Sequence, residues 1–170
     1  MFTFRYASVM ALTALFSSSG CGGVMSRVRT TTPASAPASC PVTNAPTPAF
    51  VPPSPYTSEL ADGFWIGTPA LWTSLAGDGL WHGLHTDSGY GDKKIWYSEG
   101  YDRKKGAESA LVITGKRLDD SAPPLKASAG SASTSLTFIM SGTDIPMSGC
   151  WEITGSYKSQ DLTFVVWVAP

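Results

Sequence analysis

Acidic residues are missing from the first third of the chain. Residues 1–56 carry Arg5, Arg27 and Arg29 and neither Asp nor Glu. All 13 acids fall in residues 57–170 beside nine Lys and Arg, a net charge of −4 for that part. A domain of that sign lacks the basic surface that phosphate contacts demand, so no nucleic-acid partner is expected. No apolar run approaches the roughly 18 residues that read as a membrane-spanning helix. Aromatic residues are absent between residues 17 and 49, and all six tryptophans lie beyond residue 64. Eight of the 13 prolines fall between Pro33 and Pro55. These gaps divide the chain into three parts: residues 1–20, residues 21–56 and residues 57–170.

Chemistry-bearing patterns are also scarce. There is no C-x-x-C among the three cysteines, which removes the usual spacing for a structural zinc or a thioredoxin-like site. G-x-S-x-G and P-loop patterns are absent, and no G-x-G-x-x-G opens a helix. His82 and His85 are the only histidines, near Asp78 and Asp87. On a helix this H-x-x-H spacing would bring both rings to one face, but Trp81-His-Gly-Leu84 reads as strand or loop, where they diverge. Both are therefore expected at the surface. The acids Glu99, Asp102, Glu108, Asp119 and Asp120 read as solvated turn residues rather than a paired-carboxylate site. No catalytic residue, metal site or cofactor is expected, and the chain does not read as an enzyme.

What is present begins with a signal. One positive charge, Arg5, precedes the apolar stretch Ala7–Phe16, and then come Ser17-Ser-Ser-Gly20 and Cys21. A short basic segment, about 7–15 apolar residues and small residues form the pattern of a secretory signal peptide. The stretch Ser18-Ser-Gly-Cys21 resembles the cleavage region of bacterial lipoprotein precursors, with Ser18 standing where that family usually has Leu. The resemblance implies that Cys21 becomes the lipidated first residue of the mature chain. Two or three acyl chains, at about 0.8 kcal/mol per buried CH₂, would make release from a bilayer negligible. The expected location is the cell envelope, outside the cytoplasm. If Cys21 takes lipid, Cys40 and Cys150 remain as a pair that an oxidising compartment would join, and two buried free thiols are the other reading.

Residues 21–56 read as a tether. Thr30-Thr-Thr-Pro-Ala-Ser-Ala-Pro-Ala-Ser39 is too poor in apolar surface to offset its ordering entropy. As extended proline-rich chain, residues 22–39 would reach up to roughly 50 Å. Aromatic residues return at Phe50-Val-Pro-Pro-Ser-Pro-Tyr56, a segment expected to lie against the domain.

Beyond Ser58 the chain alternates short β-type runs with Gly, Asp, Ser and Pro. The strands expected are 64–67, 71–74, 80–84, 94–98, 110–118, 124–127, 135–142, 150–157 and 162–168. No segment holds a 3.6-residue period over ten residues, and regularly spaced short strands argue for an all-β sandwich or barrel. On Cys150–Tyr157, Trp151 and Ile153 share a face opposite Cys150, Glu152 and Thr154. On Leu162–Val168, Phe164, Val166 and Val168 oppose Val165 and Trp167, so both faces need cover.

Gly149-Cys-Trp-Glu-Ile153 followed by Thr163-Phe-Val-Val-Trp-Val168 resembles bacterial extracytoplasmic immunoglobulin-like domains. Together with Phe64-Trp65 and Leu71-Trp72, Gly149–Gly155 is similar to a set of bacterial lipoproteins. The resemblance implies a single immunoglobulin-like β-sandwich over residues 57–170, behind a signal peptide and a disordered Pro-rich tether. It brings no catalytic or binding residue. The expected function is a non-catalytic interaction module that contacts an envelope protein. The alternative is a carbohydrate- or cell-wall-binding module that stacks sugar rings on Trp65, Trp72, Trp81 and Trp96. Exposed, roughly coplanar tryptophans would favour the alternative, and buried ones the first reading.

Overall fold

The computed structural model describes residues 34–55, 60–102, 111–128 and 137–170. The signal segment 1–20 and the lipidation candidate Cys21 lie outside the described residues. Among the described residues nine strands form: β1 (Gly63–Thr68), β2 (Leu71–Ala76), β3 (Leu84–Thr86), β4 (Gly89–Tyr97), β5 (Val112–Arg117), β6 (Lys126–Ser128), β7 (Ile139–Ile145), β8 (Gly149–Tyr157) and β9 (Gln160–Val168). There is no helix among the described residues. All the strand pairs are antiparallel.

The larger sheet runs β1-β2-β4-β7-β6, with β3 beside the first half of β4; the smaller runs β5-β8-β9. The order β2-β4-β7-β6 over β5-β8-β9 is the A-B-E-D and C-F-G order of a constant-type immunoglobulin sandwich. β1 and β3 are additions to that plan. The disulfide expected between the B and F strands of antibody domains has no counterpart here. In its place Trp96 of β4 lies over Gly155 of β8, with its ring 6.0 Å from that of Phe164.

Alternation explains the core. In the larger sheet Ile66, Leu71, Leu75, Trp96, Ile139 and Ile145 point inward; in the smaller, Ile113, Trp151, Ile153, Phe164, Val166 and Val168 do. The inward row of β8 is the one that sequence alternation assigns, Trp151 and Ile153 opposite Cys150 and Glu152. Three buried indoles also satisfy their N–H groups: Trp96 donates to Ser141 Oγ at 3.1 Å, Trp151 to the Met147 carbonyl at 3.0 Å, and Trp81 to the Tyr90 carbonyl at 3.2 Å. Burying a ring of this size without a partner for its N–H would give back part of the gain.

The segment before the strands is not a free spacer throughout. Residues 34–55 belong to the same compact unit as the strands. Cys40 and Cys150 form a disulfide with Cα atoms 5.5 Å apart, on the outer side of β8. Three residues on, Thr43 donates its N–H to the Val165 carbonyl at 2.9 Å and accepts the Val165 N–H on Oγ1 at 2.8 Å. Trp167 is held in the same way, donating to the Gly79 carbonyl at 3.0 Å and accepting from the Trp81 N–H at 2.9 Å. Both straps cover the free edge of β9, which would otherwise offer a row of unpaired backbone groups to another chain.

Three strands differ from the sequence reading. β4 runs back to Gly89, because Tyr90–Asp92 pair with Thr143–Ile145 although Gly and Asp disfavour strands. β7 is correspondingly centred later, on Ile139–Ile145 rather than 135–142. The run expected over 80–84 splits: Leu80 bridges Trp167 of β9, while Leu84 begins β3 against Gly91.

Candidate interaction surface

The four tryptophans of the glycan-stacking expectation do not share a surface. Trp72, Trp81 and Trp96 are buried, at 0, 7 and 1 % exposure, and Trp65 is half-buried. Successive residues of a strand face opposite ways, so Thr73 and Trp96 pair on the inner side while Trp72 and Tyr97 pair on the outer. Trp72 stacks on Tyr97 with centroids 5.6 Å apart, and Phe50 from the strap covers it edge-on at 6.4 Å. Trp65 meets Tyr97 edge-on at 5.7 Å. The aromatic residues thus fill the core and one end of the outer face, leaving no flat platform of exposed rings.

The histidines do not converge. His82 Nε2 sits 2.8 Å from Asp78 Oδ2 at the surface, and the His85 ring lies 5.0 Å from Tyr90. No group of three or more His, Cys, Asp or Glu capable of holding a metal occurs among the described residues. Asp119, exposed in the bend after β5 as expected, also has a structural task. It pairs with Arg117 Nε at 2.8 Å and accepts the Cys150 N–H at 3.1 Å, and the Arg117 hydrogen bond holds its carboxyl below the usual aspartate range.

The feature the sequence reading missed lies on the outer face of the larger sheet, at the end away from the aromatic rings. Gly91 of β4 and Gly142 of β7 lie on this side, on successive outward-facing pairs two residues apart: Gly91 opposite Asp144, and Lys93 opposite Gly142. With no side chain at either glycine, the pleat leaves a groove of about 720 Å³. β3 raises Leu84 and Thr86 along one wall, and β6 raises Lys126 and Ser128 along the other. Leu84 is 78 % exposed, an apolar side chain standing in water. Lys93, Lys126 and Asp144 give the groove charges of both signs. The Cβ of a larger residue at Gly142 would meet only Ser128 Oγ, the tip of a movable side chain. A glycine inside an alternating strand is the one sequence signal for such a close approach, and Gly91 and Gly142 both carry it.

A lysine joins the buried Thr73, Ser141 and Thr143 on the inner face of the larger sheet. Lys94 stands on the inner side of β4, two residues from Trp96. Burial pushes it down to about 8, while the negative charge of Asp92 pulls the other way.

No family model, curated protein or solved structure matches this chain. Its reading therefore rests on the residues themselves.

Proposed function

We propose that the chain is an envelope lipoprotein, anchored through Cys21, whose immunoglobulin-like sandwich is a non-catalytic module for binding another envelope protein. The observation that carries this reading is the glycine-floored groove, with Leu84 exposed on one wall and Lys93, Lys126 and Asp144 supplying both signs of charge. A mixed, partly apolar depression suits a protein surface, which brings an apolar side chain for the floor and polar groups for the rim. Burial of Trp72, Trp81 and Trp96 removes the main support for sugar stacking. His82 pairs with Asp78 while the His85 ring lies against Tyr90, so the two imidazoles have different partners.

The test uses the full chain in its own membrane, with a photo-crosslinking residue at Leu84 or Lys126 and, as a control, at Lys116 on the outer side of the smaller sheet. The expected result is one crosslinked envelope protein from the groove positions and none from Lys116. Gly142→Leu, which fills the groove, should abolish that crosslink without lowering the melting temperature. Equal crosslinking from all three positions, or none, would sink the proposal. Saturable co-sedimentation with cell-wall polysaccharide, lost on Trp65→Ala, would replace it with the glycan reading. Cys21→Ser should release the chain from membranes, and a mature chain with a first residue other than Cys21 would overturn the anchor.

A further inference from the structure

A different observation concerns the interior side of the same sheet. Lys94 Nζ lies 5.8 Å from the centre of the Trp81 ring and 5.7 Å from that of Phe164. Aromatic faces attract a cation, but they give its three N–H donors no lone pair to bond. Among the described residues no carboxylate forms an ion pair with Lys94. A cation held out of water in this way wants an anion more than an exposed lysine does.

Lys94 also helps to line a notch of about 260 Å³, together with Leu60, Ala61, Asp62, Gly63, Ser74, Leu75 and Ala76. Four of those seven neighbours carry aliphatic side chains, at Leu60, Ala61, Leu75 and Ala76. We propose that this notch binds a small aliphatic monocarboxylate, its carboxylate paired with Lys94 Nζ and its alkyl chain against Leu60 and Leu75. One cation, with Asp62 on the lip and Asp92 two residues back on the strand, suits a single negative charge and disfavours a phosphate dianion. The site is separate from the outer-face groove and stands whether or not that groove binds a protein.

The chemistry gives the site a pH signature. Among the described residues the titratable groups facing Lys94 are Asp92 on its own strand and Asp62 beside the notch; β2, β7 and β9 present Leu75, Ser141 and Phe164. With the ammonium titrating at about 8, affinity holds below that pH and falls tenfold per unit above it. An ordinary lysine would keep its affinity to beyond pH 10.

The experiment is a calorimetric titration of the full chain, disulfide intact, with hexanoate at pH 7 and pH 9. We expect one saturable site, about tenfold weaker at pH 9. Lys94→Arg should bind with no such fall, because guanidinium stays charged, and Lys94→Met and the uncharged hexanamide should show no binding. A thermal melt of each variant separates loss of the site from loss of the fold. Absence of saturable binding by the wild-type chain, hexanoate binding unchanged in Lys94→Met, or a flat pH profile in the wild-type chain overturns the proposal. An acetylated Ala-Leu dipeptide separates two sources of the same carboxylate: if it binds more tightly than hexanoate the site reads a peptide terminus, and if more weakly a free acid.

Discussion

Trp96 on β4 and Gly155 on β8 face each other across the sandwich, and the indole fills the volume that any side chain at residue 155 would occupy. This contact joins the two sheets at the place where antibody domains use a disulfide. Gly155→Ala should destabilise the domain by about 1–3 kcal/mol, the usual cost of overpacking a closed core. Trp96→Phe in the same chain should recover part of that loss, since the smaller ring leaves room for the methyl group. Urea denaturation of the two single variants and the double variant measures the coupling; strictly additive effects would show that the two residues do not compete for space.

The bond between Cys40 and Cys150 closes a loop with a sequence separation of 110 residues. In the chain-entropy model such a loop stabilises the fold by about 4–5 kcal/mol. Replacing both cysteines by Ala should lower the urea midpoint accordingly, and reducing the wild-type chain should give the same midpoint as the double variant. A midpoint unmoved by reduction would mean that the strap holds without its covalent pin.

Thr43 satisfies both backbone groups of Val165, one through its own N–H and one through its hydroxyl. Thr43→Val keeps the shape and removes the hydroxyl acceptor, leaving the Val165 N–H without its partner. The expected loss is about 1 kcal/mol, together with faster hydrogen exchange at the Val165 amide. Exchange at the Trp167 amide, which bonds to Gly79 instead, should not change. Equal acceleration at both amides would show that the two straps open together.

Lys94 ties stability to pH. Its folded-state pKa, about 8, lies below the 10.5 of the free side chain, so the unfolded chain binds more protons between those values. Stability should therefore rise as pH increases from 8 toward 10, by no more than about 3 kcal/mol and by less in so far as the ring faces of Trp81 and Phe164 favour the charged form. Above pH 10 the trend should reverse, because burial raises Tyr101 and Tyr157 in the folded chain and holds them protonated. Lys94→Met should be more stable than wild type at pH 7 and lose the rise between pH 8 and pH 10. A wild-type chain whose stability is level across that window would contradict the burial of the amine.

Much of the architecture was legible in one dimension. Alternating apolar residues name the inward rows of β8 and β9 because side chains on a strand alternate faces, a purely local rule. The all-β class and six of the nine strands among the described residues follow from the same period and from turn residues, within two residues at each end. The pairing of Cys40 with Cys150 was legible once Cys21 was set aside for lipid. Tertiary structure decided the rest. Which strands are neighbours is a matter of tertiary structure: Gly89–Lys93 became strand because Leu84–Thr86 lay on one side and Gly142–Ile145 on the other to supply hydrogen bonds. The aromatic run from Phe64 to Tyr101 could not be divided into core and surface, since burial depends on what covers a face rather than on the residue that stands there. Trp72 is buried because Phe50 and Tyr97 close over it, and Gly91 and Gly142 make a groove because pairing of β4 with β7 brings two missing side chains together. Sequence determines the faces of each strand, and only packing determines which of those faces meets water.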